Sequence, residues 1–159
     1  MEILKCLPEH KREVIDLILG IQINEFGISI TEVEQPDLQD IASFYQKGKG
    51  NFWVCKYQNS IIGTISLLDI GDGITALRKM FVSPKYRGKE YGVSVSLLQH
   101  SLNWAKSNDV KSIYLGTTTQ FLAAHRFYEK NGFIEVSKSK LPGTFPIMSV
   151  DSKFYMYSF

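Results

Sequence analysis

The chain has 159 residues, enough to bury a real core in one domain without disulfide staples. Hydrophobic residues make up 44% of it, which excludes a disordered chain. A net charge of +2 is too small to make a nucleic-acid binder by field strength alone. Read from the N-terminus, Glu2–Leu7 alternates as a first strand, too short and too charged for a signal-peptide core. Pro8 suits a helix start, and Val14, Leu17, Ile18 and Ile21 make an apolar stripe that predicts a helix over Glu9–Ile23. The stretch Asn24–Ile30 fits no period. Pro36-Asp37 then opens a second expected helix through Tyr45, closed by Gly48-Lys49-Gly50.

The period changes after Gly50. Asn51–Tyr57 and Ile61–Leu68 read as a hairpin turning on Gln58-Asn59-Ser60. Gly71-Asp72-Gly73 is a second turn, before a third strand over Ile74–Val82. Helical spacing returns at Val93, Leu98, Leu102 and Ala105, ending near Ser107-Asn108. Ser112–Gly116 is a short strand and Phe121–Lys130 a helix closed by Asn131-Gly132, where glycine takes the left-handed conformation. Phe133–Val136 and Lys153–Phe159 are the last strands, either side of a proline-containing loop over Leu141–Pro146. The order β-α-α-β-β-β-α-β-α-β-β predicts one α/β (α+β) domain over residues 1–159. Its sheet should be mixed and mostly antiparallel, with about seven strands and helices on both faces.

No stretch approaches the ~20 apolar residues of a membrane span, so no membrane partner is expected. Cys6 and Cys55 stand far apart and lack zinc-like spacing. They are expected to be reduced, buried thiols in a cytoplasmic protein, and no metal site is expected.

The segment Lys85-Tyr86-Arg87-Gly88-Lys89-Glu90-Tyr91-Gly92 lies between the third strand and the following helix. Glycines there let the backbone turn tightly and present N–H groups. The first amides of a helix lack intrahelical partners, and the macrodipole adds about half a positive charge. Lys85, Arg87 and Lys89 add full charges, so the segment suits phosphate groups. Neither a GxxxxGK[ST] run nor a GxGxxG after the first strand is present. A plain connection with solvated charges fits the same residues, and the composition of the segment leaves both readings open.

The wider stretch Leu77–Leu98 resembles the acetyl-CoA binding segment of the GNAT superfamily of N-acetyltransferases. Val82-Ser83-Pro84-Lys85-Tyr86-Arg87 follows the family's Val-x-Pro-x-x-Arg, and the loop then opens a helix. Glu90 stands where the family usually has glycine; its carboxylate must turn to solvent to avoid a bound diphosphate. A second block, Phe121–Phe133, resembles the family's Ala-x-x-[Phe/Leu]-Tyr-x-x-x-Gly-Phe through Ala124, Phe127, Tyr128, Gly132 and Phe133. Phe121 replaces an asparagine common at that place.

The resemblance covers essentially the whole chain and implies a GNAT-like twisted sheet flanked by about four helices. It implies direct transfer of an acetyl group from acetyl-CoA, as cosubstrate, to a primary amine of a small molecule, amino acid or protein. In such a transfer the amine attacks the thioester carbonyl, an oxyanion forms, and a thiolate leaves. The loop residues Arg87, Gly88, Lys89, Glu90, Tyr91 and Gly92, with Val93, are then expected to hold the diphosphate. The backbone at Met80, Phe81 and Val82 is expected to pair with the pantetheine arm, with a bulge freeing an N–H for the acetyl oxygen. Phe121 and Arg126 are expected near the cofactor. Tyr128 is the expected general acid, since a phenol stays protonated at neutral pH and can donate to sulfur. His125 is expected to be structural.

The base is open. Ala76 stands where relatives carry a glutamate, leaving Glu25, Asp69, Glu34 or water. The acceptor pocket is expected from Glu25, Phe26, Glu32, Glu34, Phe145 and Met148, an acidic and aromatic wall suited to a cationic amine. A non-catalytic acyl-CoA-binding domain of the same fold is the alternative, and nucleic-acid binding through Arg78, Lys79, Lys85, Arg87 and Lys89 is disfavoured because no aromatic platforms interleave them. Many members of the family dimerise, which allows a homodimer.

Overall fold

The computed structural model describes residues 1–159. Strands β1 (Glu2–Lys5), β2 (Asn51–Tyr57), β3 (Ser60–Gly71) and β4 (Ile74–Val82) form an antiparallel meander. Strand β5 (Ser112–Thr117) joins β4 in parallel, and β7 (Lys153–Ser158) runs between β5 and β6 (Ile134–Val136), antiparallel to both. The seven-stranded order is β1-β2-β3-β4-β5-β7-β6. Both expected hairpin turns form. Gln58 and Asn59 take φ of +50° and +63°, and Asp72 and Gly73 +56° and +74°. A positive-φ pair is what a two-residue loop needs to follow the strand twist.

Helices cover both faces. Helix α1 (Lys11–Gly20) and α2 (Ile41–Tyr45) bury Val14, Ile15, Ile18, Ile41 and Tyr45 against Phe52 and Val54. Helix α3 (Val93–Ser107) and α4 (Leu122–Lys130) bury Leu97, Leu98 and Tyr128 on the side that Trp53, Cys55 and Ile65 face. With both faces covered, β2 reads as an apolar run instead of an alternation. Each such Leu or Ile adds on the order of 1.5–3 kcal/mol by leaving water. Cys6 and Cys55 are free and buried, and burial pushes the Cys6 thiol up to about 12. No helix is long and apolar enough to cross a membrane.

Three boundaries differ from expectation. The helix expected over Glu9–Ile23 begins as a 3-10 turn at Pro8–His10 and ends as a π-helical segment, Ile21–Glu25. In that segment the Phe26 amide reaches back to the Ile21 carbonyl at 3.1 Å. The helix expected over Pro36–Tyr45 is split, because the Asp40 side chain accepts from the Ser43 amide at 3.1 Å and caps a new start. Strand β3 runs past Leu68 to Gly71, where Asp69 ties its carboxylate to the Gly71 and Lys49 amides at 2.9 and 2.8 Å.

Candidate active site between the parting strands

The β4–β5 pairing lasts for three residue pairs only, Ile74↔Ser112, Thr75↔Ile113 and Ala76↔Tyr114. Beyond them the strands part, and β4 presents its free edge to a wedge-shaped cleft. A bulge interrupts β4 there. Thr64 faces Phe81 and Ser66 faces Arg78, so β4 carries one residue more than β3 across this interval. Lys79 takes the strain at φ +54°. Two buried hydroxyls of β3 fasten it, Thr64 Oγ1 donating to the Lys79 carbonyl and Ser66 Oγ to that of Arg78, both at 2.7 Å. The bulge expected near Met80, Phe81 and Val82 is present, and all three line the cleft.

The cleft encloses about 700 Å³. At its mouth lies the loop after β4, where Gly88 and Gly92 take φ of +107° and +62°. A Cβ on either would meet nothing within 4 Å, so these glycines serve backbone conformation, not packing. The amides of Gly88, Lys89, Glu90 and Tyr91, and of Val93, Ser94 and Val95 in the first turn of α3, donate to no group of the protein. Gly92 makes only a long bond, 3.4 Å, to the Gly88 carbonyl. Glu90 is exposed, with no ion pair. Val93 buries its side chain in the core and leaves its amide at the helix start. Tyr91 packs with Tyr57 and Tyr86, ring centroids 6.4 and 5.2 Å away, beside the loop.

Arg87 reaches into the cleft and is held there from both sides. Its Nε donates to the Val82 carbonyl at 2.9 Å and its Nη2 to Glu25 Oε2 at 2.8 Å, with a second Nη1–Oε1 contact. Next to Glu25, Phe26 stacks on Phe121 with ring centroids 4.5 Å apart. The end of the first helix therefore straps across the cleft onto both expected cofactor elements.

Tyr128 lies deep in the cleft wall, 7% exposed, and its hydroxyl has no partner in the protein. Burial pushes its phenol well above the usual tyrosine range. Its place is set by the end of α4. The Phe133 amide donates to the Tyr128 carbonyl at 3.0 Å and the Gly132 amide to that of Glu129 at 3.4 Å, with Gly132 at φ +93°. This is a Schellman closure, sealed by ring contact between Tyr128 and Phe133 at 5.5 Å. His125 is buried and its Nε2 lies 2.7 Å from the Thr118 carbonyl, tying α4 to the residue that follows β5. Arg126 and Lys130 are exposed on α4; the structure does not bring Arg126 to the cleft.

On the far side of β4 a second chamber of about 640 Å³ adjoins the first. Phe145, Met148 and Glu34 line it as expected, but Glu25, Phe26 and Glu32 do not: Glu25 and Phe26 line the first cleft, and Glu32 bonds Arg12 and Gln39 at the surface. Two cations that the sequence reading assigned to neither pocket, Arg78 and Lys79, line both chambers. The expected acidic wall is thus corrected to a mixed one. Beneath it runs a buried network. Lys79 Nζ donates to Gln35 Oε1 at 2.5 Å and lies 3.6 Å from Asp37, which accepts from the Tyr45 hydroxyl at 2.6 Å. Gln35 also pairs amide to amide with Gln22 of the π-helical segment. Burial draws the Lys79 pKa down, with Asp37 opposing.

Of the base candidates, Glu25 is engaged by Arg87, and Asp69 lines neither chamber. Glu34 bonds the Thr31 amide and hydroxyl at 3.1 and 3.0 Å. Ala76 brings no acid to the chamber it lines. Asp151, in a loop without periodicity, lines both chambers, and burial raises its carboxyl above the usual range. No sequence signal marks it; only the pairing of β5 with β7 carries it to the wedge.

The family described as "Acetyltransferase (GNAT) family" matches residues 18–133. An acetyltransferase of the GNAT family from Staphylococcus aureus Mu50 superposes with a TM-score of 0.93 at 37% identity, over 99% of this chain and 98% of that one. The PaiA N-acetyltransferase of Thermoplasma acidophilum, solved in complex with coenzyme A, shares the fold at 19% identity, with a TM-score of 0.74 over 99% and 98% of the two chains. Among curated relatives, the N-acetylaspartate synthetase of Xenopus tropicalis is 37% identical over 102 residues, 63% of this chain. This chain spans only 37% of that relative's length. Profile, fold and relatives agree with the parted strands and the open loop: the chain belongs to the acetyltransferase (GNAT) family.

Proposed function

We propose that residues 1–159 act as one acetyl-CoA-dependent N-acetyltransferase domain that moves the acetyl group directly onto a primary amine. The donor binds in the cleft beside β4 and the acceptor in the adjoining chamber. The observation that carries the reading is the set of unpartnered amides at Gly88–Tyr91 and Val93–Val95, at the mouth of a cleft whose inner wall holds the unpartnered Tyr128 hydroxyl. Those amides, with Arg87, suit a diphosphate; the β4 edge suits the amide-rich arm; the phenol suits a leaving sulfur.

Acetyl-CoA, when bound, supplies an acyl group activated as a thioester. The remaining work falls to the chain. The β4 bulge aims a backbone N–H at the acetyl oxygen as that oxygen gains charge. Tyr128, which burial keeps protonated at any physiological pH, donates its proton to the sulfur as the thiolate charge develops. The chamber positions the amine, a matter of entropy as much as chemistry. Two reduced, buried cysteines fit a cytoplasmic setting.

Thiol release from acetyl-CoA over a panel of amines tests this directly. The expected result is acceptor-dependent release by the wild-type chain. Binding of CoA with no release on any amine would favour a non-catalytic acyl-CoA-binding domain.

A further inference from the structure

Resting on that reading, the geometry points to a free amino acid, or another small amine that carries a carboxylate, as the acceptor, with Arg78 taking the carboxylate and Asp151 the ammonium group. Most charges lining the acceptor chamber are satisfied within the protein. Glu34 is held at Thr31, and Lys79 and Asp37 face each other over Gln35 and Tyr45. Arg78 is not satisfied. It belongs to none of the ion pairs, and its guanidinium lies over the Phe44 and Tyr45 rings at 5.7 and 5.9 Å. Its one side-chain contact with an acceptor is the weak thioether of Met148, 3.9 Å from Nη2. A half-buried guanidinium set on an aromatic floor and left without a carboxylate keeps its paired N–H donors free for a ligand's.

Asp151 is the matching group. Its Oδ2 accepts from the Met148 amide at 3.0 Å, and Oδ1 accepts from no protein group. The carboxyl lies against Gly116 of β5, where a Cβ would sit 2.5 Å from Oδ2 and push the Asp151 carboxylate aside. Both side chains line both chambers, and neither pairs with the other. A cation and a carboxylate that face one space without meeting complement a zwitterion. A polyamine, or a protein N-terminus, would leave Arg78 unanswered. Burial holds the Asp151 carboxyl above its usual range, which makes it the better proton acceptor. It takes one proton from the ammonium group and passes it to solvent. The freed nitrogen pair forms the N–C bond as the C–S bond breaks, the Tyr128 proton goes to sulfur, and the second amine proton restores the phenol through solvent.

Thiol release by the purified full chain, with acetyl-CoA and matched acceptors, tests the proposal: glycine against glycinamide, alanine against alaninamide, aspartate against its diamide, with spermidine and a short peptide added. The free acid of a pair is expected to exceed its amide by about tenfold or more in kcat/KM, the worth of a charge-assisted hydrogen bond. Arg78→Met is expected to abolish that preference through KM for the acid, Arg78→Lys to keep part of it, and Asp151→Asn to lower kcat on both members. The rise in Tm on adding acetyl-CoA shows that each variant is folded. Equal rates on acid and amide, faster spermidine or peptide, or a preference that survives Arg78→Met overturns the proposal. A silent panel with the acetyl-CoA stabilisation intact overturns the acceptor class and leaves the donor reading standing. No stabilisation by acetyl-CoA in the wild type overturns the donor reading and this one with it.

Discussion

Tyr128 shows how much one side chain owes to residues that touch no ligand. Its ring is anchored by Phe133 and its carbonyl by the Phe133 amide, and Gly132 makes that closure possible at φ +93°. The spacing Tyr-x-x-x-Gly-Phe is therefore a helix terminus that places a phenol. Tyr128→Phe keeps the ring and removes the proton. It is expected to lower kcat by about 10²-fold or more, the usual worth of a general acid, with the dissociation constant for CoA unchanged. Loss of CoA affinity in that variant would make Tyr128 a packing residue instead. Gly132→Ala is expected to destabilise the chain by roughly 1 kcal/mol or more, because alanine resists that φ and its Cβ would lie 3.0 Å from Tyr157 Cε2. Urea unfolding measures it. Tyr128 was legible because a short local pattern fixes it. Arg78, Lys79 and Asp151 were not, because sequence marks them only as charges. Their meaning depends on which partners the fold gives them: Lys79 receives Asp37, and Arg78 receives none.

At the scale of elements, the site depends on three departures from regular geometry: the β4 bulge, the positive-φ loop before α3 and the π-helical end of the first helix. The loop was readable from its glycines and charges. The bulge was expected from family resemblance, but its fastening by Thr64 and Ser66 was not, since those hydroxyls sit on β3 and meet β4 only through long-range register. Thr64→Val removes one buried donor at constant shape and leaves the Lys79 carbonyl unanswered. The expected cost is about 1 kcal/mol in urea unfolding, with a fall in kcat/KM as the bulge loosens; stability lost with full activity would show that the bulge is only structural. The π-helical segment carries Glu25 to Arg87, so a carboxylate occupies the guanidinium that a diphosphate needs. Glu25→Gln is expected to tighten CoA binding at low ionic strength, with the gain shrinking as salt rises, because the competing charge is gone. Unchanged or weaker CoA binding would make Glu25 a positioning group for Arg87.

For the whole molecule, the sheet order does the decisive work. The meander β1–β4 and the β5–β7–β6 unit share three residue pairs, and the sheet opens between them. Strand count, helix count and the two-sided core were legible from period and punctuation. The opening was not, because nothing in either strand's own residues says where a parallel pairing stops. Since the donor would bridge both halves of the sheet, acetyl-CoA is expected to raise Tm by about 5–11 °C at a hundredfold excess over its dissociation constant. The most direct test compares calorimetric titrations of CoA and pantetheine, which lacks the diphosphate, on the wild type and on Gly92→Val, a substitution incompatible with φ +62°. CoA should bind the wild type far more tightly than pantetheine, and Gly92→Val should shrink that gap. Equal affinities in the wild type, or a gap untouched by Gly92→Val, would contradict a diphosphate held by the amides of this loop.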